Sequence, residues 1–105
     1  MIVFATRQAE RGWQDCLATA LNATVEAWER LTTAPTTEDE RLYRLKGDYA
    51  TGTYQGRTLE RYQYKITHGG RIWYFVEATS DGKTAGRVLL ERCETGHPKE
   101  TEPRR

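Results

Sequence analysis

The sequence has few of the features that mark a membrane protein or an exported protein. None of its apolar stretches approaches the roughly 20 residues that a helix needs to cross a bilayer. Residues 1–5 also lack the basic segment and the long apolar segment of a signal peptide. We therefore expect a cytoplasmic protein with no membrane partner.

Cysteine is equally scarce. The chain contains only Cys16 and Cys93, which lie far apart and do not form a CxxC pair. In a reducing cytosol we expect two free thiols rather than a disulfide. A zinc site would need both cysteines to converge with His68 and His97, and the spacing does not support this. We expect no metal and no cofactor.

The chain has little net charge. Its 105 residues include 16 basic and 15 acidic side chains, for a formal net charge of +1. This balance argues against a protein that coats nucleic acid through a general positive field, so a nucleic-acid site would be a local patch. The length fits one domain, which we assign to residues 1–98. We expect a disordered tail over 99–105, where no apolar pattern is present.

The strongest local pattern is a predicted β-hairpin over residues 61–76. Runs of aromatic and β-branched residues flank His68-Gly69-Gly70. A three-residue loop would pair Thr67 with Arg71 and leave Gly70 in the left-handed conformation of a bulge. In this register one face is apolar, and its residues are Tyr62, Tyr64, Ile66, Ile72, Tyr74 and Val76.

The second face of this hairpin combines cations with aromatic rings. It carries Arg61, Gln63, Lys65, Thr67, Arg71, Trp73 and Phe75. Such a face can contact a phosphodiester backbone and stack on a base. The alternative is a partly buried face on which arginine and lysine stems cover Trp73 while their charged ends reach water. The hairpin alone favours neither reading.

The N-terminal third predicts a strand followed by helix. Residues 2–5 form a short apolar run, and Thr6 can cap the helix that follows. Apolar residues then recur at helical spacing up to Leu31, which fits one bent helix or a two-helix hairpin with a break at 22–24. We expect Trp13 and Trp28 to pack in the core.

The remaining segments predict short elements around the hairpin. Thr37 and Glu40 have capping-box spacing, which indicates a short helical turn. Residues 51–57 fit a small hairpin or an extended loop, residues 80–83 a turn, and residues 87–93 the last strand. In that strand, alternation places the charged Arg92 on the same side as the apolar Val88 and Leu90. The pattern therefore does not show which face of the sheet Arg92 occupies.

Together these patterns predict an α+β fold. A short N-terminal strand precedes two helices, or one bent helix, packed on one face of a curved, mainly antiparallel sheet.

In this arrangement the chain resembles the RelE/ParE superfamily of type II toxin–antitoxin toxins, over roughly residues 1–100. The resemblance lies in an ordered set of short motifs that follows the N-terminal strand and helices. These motifs are Leu45-Lys46-Gly47, Arg61-Tyr-Gln-Tyr64, Arg71-Ile-Trp-Tyr-Phe-Val76, Arg92 near the end of the last strand, and His97-Pro98-Lys99.

The resemblance implies a ribosome-dependent endoribonuclease that cuts mRNA without a metal and is neutralised by a cognate antitoxin protein. In such enzymes the 2′-hydroxyl attacks the adjacent phosphate, basic residues stabilise the developing charge, and a C-terminal His or Tyr transfers a proton. By this resemblance Arg71, Arg92 and His97 would be catalytic. Lys46 and Lys65 are looser matches to the basic residues of the family's earlier strands. We assign both to RNA binding, together with Arg61 and Trp73 from the mixed hairpin face.

Two other functions fit the sequence. One is a ParE-like toxin that binds and poisons DNA gyrase without cleaving RNA. The other is a non-enzymatic module that binds a partner through Trp73 and Phe75. The near-neutral charge and the acidic residues Glu94, Glu100 and Glu102 close to His97 depart from a strongly basic nuclease.

Overall fold

The computed structural model describes residues 1–78 and 85–96, with the backbone alone at Ala85. It confirms an α+β fold with two helices and a mainly antiparallel sheet. The elements are β1 (Ile2–Phe4), α1 (Arg7–Thr19), α2 (Leu21–Thr33), β2 (Leu42–Arg44), a short 3-10 helix (Gly47–Tyr49), β3 (Thr51–Tyr54), β4 (Arg57–Lys65), β5 (Arg71–Ala78) and β6 (Ala85–Glu94).

The sheet follows the order β1-β6-β5-β4-β2, and β3 pairs with β4 outside this path. β1 runs parallel to β6, with Ile2 opposite Val88, and the other pairs are antiparallel. The sheet is uncurled, so the expected curvature is wrong. The two ends of this order are the three-residue strands β1 and β2.

The central hairpin is the β4–β5 pair, and its register differs from the prediction by two residues. Lys65, rather than Thr67, pairs with Arg71, which leaves a five-residue loop over 66–70. Because a shift of two keeps the alternation of side chains, both predicted faces are preserved. The apolar face is buried against the helices, with Val76 partly so.

The way the loop closes accounts for the shift of two residues in the pairing. Its backbone closes where Ile66 N–H donates to the Gly70 carbonyl at 3.2 Å. Among described residues, positive φ occurs at Gln55, Gly47 and Gly56, so the left-handed conformation expected for Gly70 is wrong. Glycine is needed at 70 for space, because a Cβ there would lie 2.7 Å from the Thr67 hydroxyl oxygen.

The helical segment is a two-helix hairpin. Thr6 caps α1 as predicted, because its hydroxyl oxygen accepts from Ala9 N–H at 3.0 Å. The break falls at Ala20, earlier than the expected 22–24, since Thr24 lies inside α2 and its hydroxyl donates to the Ala20 carbonyl. α1 contacts β6 so closely that a Cβ on Gly12 would lie 1.9 Å from the Cys93 carbonyl oxygen.

The core lies between the helices and the apolar face of the sheet. Trp13 belongs to it as predicted, but Trp28 is 45% exposed and that prediction is wrong. The reason is that α2 turns Thr24, Ala27 and Leu31 inward, which leaves Trp28 on its outer side. The Trp28 ring packs on the edge of the core, 5.9 Å from the ring of Trp13. Leu21 and Val25 are exposed on the same helix.

Two loop predictions have different outcomes. Residues 51–57 form a hairpin, in which β3 pairs with β4 and Gln55 and Gly56 adopt φ of 49° and 78°. The helical turn expected from Thr37 to Glu40 does not form. Instead, the Asp39 carboxylate accepts from the backbone N–H groups that open β2.

The predicted turn at 80–83 and the tail at 99–105 lie outside the described residues. Within residues 1–78 and 85–96, no helix has the length and apolar character needed to cross a membrane.

Candidate functional site

The sheet face opposite the helices holds a second, smaller apolar cluster. Tyr43, Leu45 and Trp73 are buried there, with Tyr49 packed against them. β3 also approaches this face, because a Cβ on Gly52 would lie 2.7 Å from the ring of Phe75. Trp73 is only 6% exposed, so most of its ring is covered by protein side chains.

A hydrogen-bonded chain fixes the Trp73 ring. Its indole N–H donates to the Gln63 side-chain oxygen at 2.7 Å, and the Gln63 amide donates to the Tyr43 hydroxyl at 2.8 Å. The edge of Tyr49 packs on the indole at a centroid distance of 5.3 Å. Buried polar atoms that are fully paired hold one conformation, so the indole is a rigid platform on this face.

A β-bulge in β6 decides which face Arg92 occupies. Trp73 pairs with Arg92 and Tyr74 pairs with Leu90, so Glu91 is the extra residue. The bulge shifts the alternation, which leaves Leu90 in the core and carries Arg92 to the face of Trp73. Bulges often occur beside active sites, where they redirect a side chain.

The bulge borders a shallow cavity of about 280 Å³, which we call the Trp73 cavity. Its lining residues are Thr6, Gln8, Trp73, Glu91 and Arg92. It therefore brings one carboxylate and one guanidinium together beside an indole ring.

Arg61 reaches the same place from β4. Its guanidinium forms a two-pronged ion pair with Glu91, in which both N–O distances are 2.7 Å. The guanidinium carbon lies 5.4 Å from the Trp73 ring centre and 5.3 Å from that of Phe75. Its Nη1 donates to the carbonyls of Tyr49 and Thr51, so Arg61 is held from several sides.

Arg92 is the more accessible of the two guanidinium groups. Its side chain is 31% exposed, compared with 12% for Arg61. Its guanidinium carbon lies 5.8 Å from the Trp73 ring centre, and its Nε lies 3.5 Å from a Glu94 carboxylate oxygen. Two guanidinium groups from different strands therefore converge on one indole.

Arg71 and Lys65 lie farther along the face, at the hairpin end. Arg71 is 7% exposed, and its Nη1 donates to the carbonyls of Thr67, His68 and Gly70 at 3.0–3.3 Å. It therefore supports the shape of the loop. The ammonium group of Lys65 lies 5.4 Å from the Tyr43 ring centre.

These two residues border a second cavity of about 380 Å³, which we call the hairpin pocket. It is lined by Arg41, Lys65, Thr67, His68 and Arg71.

Lys46 and His97 are the two predicted site residues that remain. Lys46 is exposed just before the 3-10 helix, and it lines neither the Trp73 cavity nor the hairpin pocket as the described residues form them. His97 lies outside the described residues. The structure thus gathers Arg61, Trp73 and Arg92 in one place and Lys65 with Arg71 in another.

Several residues of these sites were missed from the sequence. Glu91 could not be assigned to this face without knowing the bulge, and Arg41 is distant in sequence from the hairpin it contacts. Gln63 could have been identified from the sequence, because its amide lies between two tyrosines and alternation places it on the mixed face.

Gln8 was also missed. Its side-chain amide bonds both the N–H and the carbonyl of Cys93, which continues the pairing of β1 along β6.

No cluster of three or more His, Cys, Asp or Glu residues that could hold a metal ion occurs in the described part of the chain. Comparison with protein-family models gives no match, and comparisons with curated proteins and with solved structures give none either.

Proposed function

We propose that this protein is the toxin of a toxin–antitoxin module and cleaves mRNA on the ribosome in the cytoplasm, by attack of a 2′-hydroxyl on the adjacent phosphate. The observation that carries this proposal is the convergence of Arg61 and Arg92 on Trp73, beside the carboxylate of Glu91. In this reaction negative charge develops on the phosphate oxygens. Fixed guanidinium groups stabilise such charge well because they need little rearrangement.

The side chains take different roles in this proposal. Arg92 contacts the scissile phosphate, because it is the more exposed guanidinium beside the Trp73 cavity. Arg61 is held in place by its ion pair with Glu91, and it fixes one edge of the cavity beside the indole. His97 transfers a proton, a role that rests on the sequence resemblance alone. Arg71 acts through the loop that its guanidinium supports.

RNA is the substrate in this proposal because the chemistry requires a 2′-hydroxyl. Lys65 and Lys46 would contact the strand beyond the scissile phosphate. The cognate antitoxin would cover the cationic face, which would block access to Arg92.

The test is induced expression in a bacterial host, with growth as one readout and primer extension on a reporter mRNA as the other. We compare wild type, Arg92→Ala, His97→Ala and Arg11→Ala. Arg11 is an exposed arginine on α1, so its variant controls for the loss of one positive charge. We expect wild type and Arg11→Ala to arrest growth and cut mRNA, and Arg92→Ala to lower cleavage by roughly 10²–10³-fold.

The outcomes separate the candidate functions. Growth arrest with cuts that Arg92→Ala and His97→Ala both abolish supports the nuclease. Growth arrest without cuts indicates toxicity through a protein target such as DNA gyrase. The exposed apolar residues Leu21, Val25 and Trp28 on α2 favour this second candidate, because such a stripe can bind a protein. No arrest by soluble, folded protein rejects both toxin functions.

A further inference from the structure

The backbone of β1 is open along one side. β1 is the first strand in the sheet order, and within residues 1–78 and 85–96 it pairs with β6 alone. Val88 N–H donates to the Met1 carbonyl at 2.7 Å, and Ala5 N–H donates to the Leu90 carbonyl at 2.8 Å. Because backbone groups point alternately to the two sides of a strand, residues 1, 3 and 5 direct theirs toward β6.

Ile2 and Phe4 therefore direct their N–H and carbonyl groups away from the sheet. No hydrogen bond to these outward groups occurs in the part of the chain that the structure describes. β1 also lacks the features that usually protect an edge strand, since residues 1–5 contain no charged side chain and no proline. An apolar, unprotected edge is a place where another strand can pair.

The edge at the other end of the sheet order is closed. At β2, the Asp39 carboxylate accepts from Leu42 N–H at 3.1 Å, and Asp39 N–H donates to the Leu42 carbonyl at 2.8 Å. The Glu38 carboxylate accepts from Arg44 N–H at 2.8 Å. The segment before β2 thus occupies outward groups of its own edge, whereas no described segment covers β1 in this way.

We propose that the β1 edge pairs with the β1 edge of a second copy of this chain. An antiparallel pair with a two-fold axis at Val3 would place Ile2 of each copy opposite Phe4 of the other. Each of these two pairs would exchange both an N–H and a carbonyl bond, so no outward group of either strand would stay unbonded. The edge is therefore complementary to itself, and the two sheets would become one.

The side chains suit this pairing on both faces. Ile2 and Phe4 pack on the core beneath the helices, and the Phe4 ring centre lies 6.5 Å from that of Trp13. In the dimer each Phe4 would lie beside Ile2 of the other copy, and such aromatic and β-branched pairs stabilise antiparallel strands. Val3 would meet Val3 of the other copy on the opposite face. The apolar layer would therefore continue across the axis.

The surface beside β1 carries charges of both signs. A cavity of about 440 Å³ is lined by Phe4 and by side chains of α1, among them Glu10, Arg11 and Asp15. None of these three forms an ion pair with another described residue. A two-fold axis would bring this mixed surface against its own copy, where a cation can face a carboxylate. Such exposed pairs add little affinity, so backbone and apolar contacts would hold the dimer.

This dimer goes beyond the proposed nuclease, because it requires neither RNA nor cleavage. Its paired segment is only three residues long. Interfaces that dissociate readily bury less than about 1,200 Å², and we expect this dimer to belong to that class. Dilution should therefore release the monomer.

The first test is the mass of the full chain in solution, measured by sedimentation over a range of concentrations. We expect a monomer–dimer equilibrium for wild type. Ile2→Pro removes the outward N–H donor and leaves the bonds to β6 in place, because proline is tolerated where an edge N–H faces solvent. It should weaken dimerisation by about tenfold or more relative to Ile2→Ala, which also loses the side chain but keeps the donor. Urea denaturation checks that both variants fold.

Cysteine cross-linking tests the register independently. The two Val3 residues would form a pair without hydrogen bonds, in which the Cα atoms lie about 4.5 Å apart, within the range of a disulfide. Val3→Cys should therefore give a cross-linked dimer when oxidised glutathione is added, which is reduced as the two thiols lose their protons and join. Ile2→Cys is the matched control, because its two Cα atoms would lie about 8 Å apart. The native Cys16 and Cys93 are buried.

The outcomes decide between this interface and others. A wild-type chain that stays monomeric at every concentration would overturn the proposal. So would a dimer that Ile2→Pro leaves intact and Trp28→Ala dissociates, because that interface would lie on α2. Cross-linking of Ile2→Cys as readily as Val3→Cys would contradict the two-fold register. Sedimentation uses no RNA, so failure of the dimer is distinguishable from failure of the nuclease.

Discussion

At the scale of single residues, Gly12 lies where α1 meets the backbone of β6. Helix propensity alone predicts that Gly12→Ala gains about 1 kcal/mol. A Cβ at this position would lie 1.9 Å from the Cys93 carbonyl oxygen, so the helix would have to move away from the strand. We expect Gly12→Ala to lower the free energy of unfolding by about 1–3 kcal/mol, measured by urea denaturation.

The matched control is Gln14→Ala, an exposed position on the same helix, which should change stability by less than about 0.5 kcal/mol. A Gly12→Ala protein that is as stable as wild type, or more stable, would show that α1 and β6 are not in this close contact.

Glu77 gives a second prediction at the residue scale, through pH. Hydrogen bonds from Arg87 and then from Arg57 lower the pKa of its carboxyl group from 4.5 to about 2. A carboxyl group with a lower pKa in the folded state stabilises the fold above its unfolded pKa, and this contribution is lost as the pH falls through the folded value. We expect the stability difference between wild type and Glu77→Gln to be complete near neutral pH and to disappear between about pH 4.5 and 2.

Urea midpoints measured across this range test the prediction. Glu29→Gln removes an exposed negative charge from α2 and serves as the control. A stability difference for Glu77→Gln that stays constant from neutral pH to pH 2 would contradict the assigned ion pairs.

At the scale of secondary-structure elements, the Arg61–Glu91 pair joins β4 to β6 across β5. The two side chains are 12% and 25% exposed, so solvent screens the pair only partly. Removing one partner of a buried pair costs about 3–5 kcal/mol, and partial exposure reduces our expectation for Glu91→Ala to about 1–3 kcal/mol. A double-mutant cycle with Arg61→Met measures the coupling between the two residues.

The Arg44–Glu60 pair is the control for this cycle. Its side chains are 37% and 60% exposed, and its coupling should not exceed about 1 kcal/mol. If the Arg61–Glu91 coupling is no larger than this, the pair does not anchor the Trp73 cavity.

The elements also show which parts of the fold the sequence can predict. The faces of the hairpin followed from alternation, and an even register shift left them unchanged although the pairing was wrong. The face that Arg92 occupies could not be predicted in this way, because one extra residue in β6 reverses the alternation. The position of that extra residue depends on the pairing with the partner strand. Trp28 was placed in the core wrongly, because the side of α2 that faces the core depends on how the helix packs against α1 and the sheet.

At the scale of the whole molecule, the two thiols report on the contact between α1 and β6. Burial raises the pKa of Cys16 to about 11, and burial also raises the pKa of Cys93. Alkylation requires the thiolate, so we expect neither thiol of the native protein to react appreciably with iodoacetamide at about pH 8. Both should react in urea, which mass spectrometry can follow.

The reaction rates carry further information. If exchange through global unfolding controls labelling, both cysteines should react at similar slow rates in native buffer. Rapid labelling of either thiol without denaturant would show that the helix and the strand separate easily, in conflict with the packing at Gly12.

The candidate site was only partly predictable at this scale. The mixed hairpin face correctly grouped Arg61 with Trp73, because both lie on one hairpin and alternation relates them. Arg41 lines the hairpin pocket, and Gln8 and Glu91 line the Trp73 cavity. Local sequence patterns do not contain these positions, because the contacts that create them join residues distant in sequence.

The position of β6 has a consequence for the chain during translation. This strand lies inside the sheet between β1 and β5, and Ile2 pairs with Val88. A nascent chain that has not yet released β6 from the ribosome can form the helical hairpin and the β4–β5 pair, but it cannot join them to β1. Arg92 and Glu91 arrive with the same strand, so an unfinished chain has no Trp73 cavity. Assembly of the sheet and assembly of the candidate site are therefore one event, which requires β6.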